Sequence, residues 1–209
     1  MRHLPEAWLR DARGVGGRGD VAAAGADLLA RYAEPHRRYH GLGHLDDVLR
    51  HVDDLASAAR QVEVVRLAAW FHDAVYDPTA TDNEERSARL AEVALVGMRV
   101  DSLVAAEVAR LVRVTADHAP PPGDTDGAVL CDADLAVLAS APAAYGAYVD
   151  AVRAEYDHLD DATFASGRAA VLRRLLDRDP LFSTDEGRQR WESSARANVT
   201  AELARLGGA

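Results

Sequence analysis

The chain has 209 residues, of which 48% are apolar, 28% charged and 6% aromatic. That is enough for one sizeable core, short of two comfortable domains, and too apolar for intrinsic disorder. With 24 Lys plus Arg against 34 Asp plus Glu, the net charge of −10 disfavours a general nucleic-acid binder, which needs a basic footprint. No apolar run approaches the roughly 18 residues that span a bilayer, and no basic stretch followed by an apolar one marks a secretory signal. The single Cys131 has no internal partner for a disulfide, which fits a reducing cytoplasm. Cys131 is also a poor nucleophile, since its acidic neighbours raise its pKa.

Taken in chain order, residues 1–19 read as a peripheral N-terminal segment of a single domain spanning 1–209. Gly14-Val15-Gly16-Gly17-Arg18-Gly19 satisfies a G-x-G-x-x-G pattern, but no strand precedes it, so it is expected to be a flexible loop. Asp20 to Tyr32 reads as a helix that ends before Glu34-Pro35. Leu45, Val48, Leu49, Val52 and Leu55 form a one-face stripe opposite acidic residues. Val62 to Phe71 is apolar almost all round, as a central buried helix is. Thr81 with Glu84 matches a capping box for a helix to about Gly97. Asp101 opens another, to Ala116. After the Pro/Gly/Asp loop at 119–127, a short apolar helix covers Ala128 to Ala139. Pro142 suits the first turn of the next, to about His158. Asp161 caps a further one, and the last runs from about Asp185 to Leu206. Period-two alternation is missing throughout. The expected fold class is therefore all-α, with seven to nine helices in one domain.

The candidate chemistry lies where polar groups interrupt apolar segments. His40 and His44 stand four apart, beside a Gly-rich turn. Phe71-His72-Asp73 ends the most apolar helix, where an unpartnered His or Asp is costly to bury. Cys131-Asp132-Ala133-Asp134-Leu135 sets two carboxylates in an apolar stretch. A divalent cation resolves all three costs by pairing carboxylates and accepting neutral imidazole nitrogens. Adjacent residues on a regular helix point about 100° apart, so His72 and Asp73 share an ion only near the end of that helix.

His44, then His72-Asp73, then Asp134 resembles the H…HD…D signature of the HD superfamily of metal-dependent phosphohydrolases. Arg37-Arg38-Tyr39-His40-Gly41-Leu42-Gly43-His44-Leu45, Phe71 to Asp77, Asp82 to Ala88 and Asp132-Ala133-Asp134-Leu135 are similar to a bacterial subgroup of predicted HD phosphohydrolases. So are Arg153-Ala154-Glu155-Tyr156 and Ala195-Arg196-Ala197-Asn198. The resemblance runs from about Leu28 nearly to the end of the chain.

It implies an all-helical cytoplasmic hydrolase. His44, His72, Asp73 and Asp134 would be its ligands for one or two divalent ions drawn from Mn, Mg, Fe, Co, Ni or Zn. Asp134 is favoured over Asp132 because family members present the ligand as Ala-Asp-Leu. His40 stands where the cyclic-nucleotide phosphodiesterase branch has its proton-donating His. Arg37 or Arg38 is a candidate cation for a phosphate, because Arg matches that group bidentately. Glu84 or Glu85 is a candidate to orient water or brace a ligand. His118 is a weaker candidate for a second ion, and Arg153, Tyr156, Arg196 and Asn198 are weaker candidates for the pocket. The expected partner is a small phosphorylated molecule such as a nucleotide, with neither nucleic acid nor membrane. The alternatives are a di-iron oxygenase on the same scaffold and a non-catalytic nucleotide-binding scaffold.

Overall fold

Ten α-helices account for most of residues 3–207, which are the residues described in the computed structural model. The ends of the expected 1–209 domain, residues 1, 2, 208 and 209, lie outside the described residues. The helices are α1 (Leu4–Gly14), α2 (Val21–Tyr32), α3 (Leu42–Asp54), α4 (Val62–Phe71), α5 (Asn83–Gly97), α6 (Ser102–Val114), α7 (Thr125–Leu135), α8 (Pro142–Glu155), α9 (Asp161–Leu176) and α10 (Asp185–Leu206). Single 3-10 turns follow α3 and α7. The all-α fold class holds, with one helix more than the seven to nine expected. Among the described residues no strand occurs, and no single helix is long and apolar enough to cross a membrane.

The extra helix is α1. The first turn accepts Pro5, since its missing N–H is one that a helix start leaves unpaired anyway. Trp8 then enters the core, packing edge-on against Trp70 and Phe71 at 5.5 and 5.9 Å. Its indole N–H donates to the Val21 carbonyl at 2.7 Å, and the Trp70 N–H donates to Asp11 at 3.0 Å. The expectation of a peripheral segment is thus corrected over residues 4–14. Gly25 permits this packing: a Cβ there would stand 2.2 Å from the Trp8 ring. The glycine-rich stretch is the turn between α1 and α2, with Gly16 and Gly19 at φ 88° and 79°.

The centre of the fold is α4, with Val64, Val65, Leu67, Ala68, Ala69, Trp70 and Phe71 all buried. Helices α1, α3, α5, α6 and α7 pack around it. The Leu45-to-Leu55 stripe of α3 is buried, as its spacing predicts. One start signal misleads. The helix after Thr81 is not closed by a capping box; Asn83 instead binds the backbone N–H and carbonyl of Asp77, which pins the turn before α5.

Because Trp8 joins α1, α2 and α4, Trp8→Ala is expected to cost about 3–5 kcal/mol of stability. Chemical denaturation measures this directly. A loss under 1 kcal/mol would return α1 to the periphery.

Candidate metal centre

Three helices bring their polar interruptions to one point. His44 comes from the first turn of α3, and Asp134 from the last turn of α7. Helix α4 ends at Phe71, so His72 caps it and Asp73 lies in the turn beyond. That early stop answers the angular problem of adjacent ligands: both side chains reach the same place. Asp73 N–H donates to the Tyr32 hydroxyl, which itself donates to the Trp70 carbonyl, so the helix end is pinned from α2.

The two Nε2 atoms of His44 and His72 stand 3.0 Å apart. Asp73 Oδ2 lies 3.4 Å from the first and 3.1 Å from the second; Asp134 Oδ1 lies 3.2 and 3.7 Å from them. His44, His72 and Asp134 offer ligand atoms all within 4.8 Å of one another, a group able to hold a metal ion. The donor chemistry fits one. His72 Nδ1 sits 2.8 Å from the Ala69 carbonyl. A carbonyl only accepts, so Nδ1 carries a proton, and in the neutral ring Nε2 turns a lone pair toward the cluster.

The two carboxylates favour positive charge on the imidazoles. Burial by itself depresses the His44 pKa, yet bonding to Asp134 and Asp73 pushes it up to about 10. Burial is likewise outweighed at His72, raised by Asp73 and Asp134. It is outweighed at Asp73, which His72 and His44 hold well below the usual carboxylate range. Asp134 is held low against its burial by His72, His118 and His44.

The centre opens on a cleft of about 630 Å³ that Asp134, His40, Glu84, His118, Tyr39 and Tyr156 help to line. A second cleft of about 530 Å³ shares Asp134, Tyr39 and Tyr148 with the first and reaches His44. His118 sits at φ 52°, a left-handed conformation uncommon outside glycine. Arg178 holds it there by donating to the carbonyls of His118 and Asp117. The His118 ring lies 2.8 Å from Asp134 Oδ2, so this weak candidate of the sequence belongs to the site.

Arg37 does not face a cleft. Its guanidinium is buried between the Tyr32 and Tyr76 rings and donates to Glu34 and to the carbonyls of His40, Asp73 and Ala74. The expectation of a phosphate contact is corrected: Arg37 is the tie between the His40 turn and the Asp73 turn. Arg38 is exposed and lines the second cleft. Glu84 lines the first cleft, whereas Glu85 pairs with Arg89 and Arg113 away from it. Asp132 accepts from the N–H groups of Ser183 and Thr184 and from the Thr184 hydroxyl, so it anchors the start of α10. Arg153 closes the turn after α8 through the carbonyls of Tyr156 and Leu159. Arg196 binds carbonyls of Leu176 and Arg178, and Asn198 those of Leu138 and Ser140.

The residue missed is Glu155. It is buried at the end of α8, and its Oε1 accepts the N–H groups of Arg38, Tyr39 and His40. Its Oε2 accepts from His40 Nδ1 at 2.6 Å and from the Tyr76 hydroxyl at 2.9 Å. His40 stacks on Tyr76 at 4.2 Å, and among the described residues its Nε2 makes no hydrogen bond. The sequence signal lies in Arg153-Ala154-Glu155-Tyr156, where the flanking Arg and Tyr look the better pocket candidates. No family model, no curated protein and no solved structure matches the chain.

Burial raises the Glu155 carboxyl, but His40 and the bonded backbone N–H groups bring it down to about 2 from 4.5. A depressed folded pKa contributes stability that is present above about pH 4.5 and lost as pH falls toward 2. Glu155→Gln is therefore expected to lower stability by about 1–3 kcal/mol at pH 7 and to flatten the acid limb between pH 4.5 and 2. Denaturant melts across that range read both effects; parallel curves for wild type and variant would refute the assignment.

Proposed function

We propose that this chain is an HD-type, metal-dependent phosphohydrolase that cleaves a phosphate ester of a nucleotide or another small phosphorylated molecule. The observation that carries the reading is the convergence of two imidazoles and two carboxylates, from three helices, on one buried point that opens to a cleft. His44, His72, Asp73 and Asp134 would hold the ion. A divalent ion bound there supplies Lewis acidity toward a phosphoryl oxygen and lowers the pKa of a water.

The remaining work belongs to the chain. Glu155 fixes the His40 ring through Nδ1, which leaves Nε2 to donate a proton to the leaving oxygen as its bond to phosphorus breaks. Glu84, in the same cleft, accepts the proton that the attacking water loses as its oxygen bonds phosphorus. Tyr39 packs against Tyr148 and against His44, each at 4.6 Å, on the wall that the two clefts share.

Metal analysis of purified protein is expected to find at least one divalent ion per chain, lost in His72→Ala and Asp73→Ala. A panel of phosphomonoesters and phosphodiesters is expected to show turnover in the wild type and none in those variants. Metal-free wild-type protein, or activity that survives both substitutions, would end the proposal. His40→Ala is expected to keep its metal and lose about 10²–10⁴-fold in kcat. Equal kcat in His40→Ala and wild type would remove His40 from the proton transfer.

A second reading, a di-iron oxygenase, is favoured by one contact: His118 on the outer oxygen of Asp134, where a second ion has a donor pair. Two irons per chain and a product that depends on dioxygen support it. Hydrolysis without oxygen on a single ion excludes it.

A further inference from the structure

One wall of the main cleft has a composition that the metal centre does not explain. Phe164, Gly167, Arg168, Val171, Arg174 and Arg178 recur at steps of one to four residues, and all line the cleft. On α9 and the turn after it, that spacing is a single helical face. A face packed on a core is apolar; this one presents three arginines to an open space.

Two of the three are engaged. Arg168 donates to Glu202 at 2.8 Å and to the Tyr148 hydroxyl at 3.0 Å. Arg178 holds the carbonyls of Asp117 and His118. Arg174 is exposed, faces the cleft, and has no hydrogen bond or ion pair among the described residues. It precedes Arg178 by four residues, about 6 Å along a helix. Arg178 is tied to the His118 turn, and the His118 ring touches Asp134. The free cation and Asp134 thus line the same cleft, with Arg178 and His118 between them. Tyr39, Tyr156 and Phe164 also line the cleft with flat apolar faces.

We propose that Arg174 recognises a second anionic group on the ligand. The reacting phosphate is held at the His/Asp cluster, a planar group lies among the rings, and a further phosphate or carboxylate pairs with the guanidinium. The proposal rests on the phosphohydrolase reading for the first of these three placements only. The sequence has no Lys, so every permanently cationic side chain is Arg. Arg presents a planar fork that stays charged at any working pH and matches an oxyanion with two bonds.

The test compares adenosine 5′-monophosphate with adenosine 3′,5′-bisphosphate, which share the planar base and differ by one phosphate. Dissociation constants are read by calorimetry on the whole protein, with the KM ratio in their place where turnover occurs. The wild type is expected to prefer the bisphosphate at least tenfold. Arg174→Gln is expected to bring the ratio near one. Arg173→Gln, its neighbour off the cleft face, is expected to leave the ratio unchanged. Gly167→Phe is expected to weaken both ligands, since a side chain there enters open space with no atom within 4 Å of its Cβ.

A wild-type ratio near one, a preference that survives Arg174→Gln, or no binding of either probe overturns the proposal. A preference that depends on Arg174 in a protein without turnover or metal supports it, while the hydrolase reading fails separately.

Discussion

Two carboxylates and two imidazoles meeting at the edge of an apolar core need positive charge among them, and most of this fold can be read as the means of keeping them there. Removed from water and unpaired, each carboxylate is costly to keep ionised. The groups shift one another toward a balance of charge: His44 is pushed up to about 10 while Asp73 and Asp134 are pulled down. A divalent ion satisfies the same four groups without requiring that any imidazole be protonated. Proton and metal therefore compete for one place, and the helices fix that place before either arrives.

The scaffold achieves this by ending helices where they meet. Helix α4 is buried through its last residue, Phe71, so His72 and Asp73 emerge together. Tyr32 and Arg37 then hold the turn, one through the Asp73 N–H and the other through the carbonyls of Asp73 and Ala74. Arg37 also grips the His40 carbonyl, and Glu155 grips three N–H groups of the same turn. The His40 turn and the His72-Asp73 turn are thus fastened through backbone groups. A shift in either turn moves both.

The convergence of His44, His72, Asp73 and Asp134 was legible because its signal is local. Charge inside an apolar helix is anomalous in any sequence, and His72-Asp73 and Asp134 are such anomalies. Arg37, Glu155 and α1 were not legible, for one shared reason: their partners are backbone atoms or distant rings. Nothing near Arg37 says that its donors meet the carbonyls of residues 73 and 74, and Glu155 acts on a turn more than 110 positions earlier. Helix α1 reads as polar until Trp70 and Phe71 supply the surface on which Trp8 packs. Thr81 with Glu84 failed in the opposite sense. The local pattern was sound, but Asn83 found stronger partners in the backbone of Asp77.

The acidity of the whole chain has a structural cause. Short helices leave many N–H groups without intrahelical partners, and carboxylates are strong acceptors for them. Asp20, Asp101, Asp124 and Asp160 cap α2, α6, α7 and α9. Asp126 takes the N–H groups of Arg60 and Gln61 ahead of α4, Asp132 those ahead of α10, and Glu192 those of Leu181 and Phe182. Much of the charge of −10 is thus spent on the ends and turns of a ten-helix array. It carries no message about the sign of a ligand. Locally the charges differ: two imidazoles and two carboxylates converge at one point, and α9 turns a free arginine toward the same cleft.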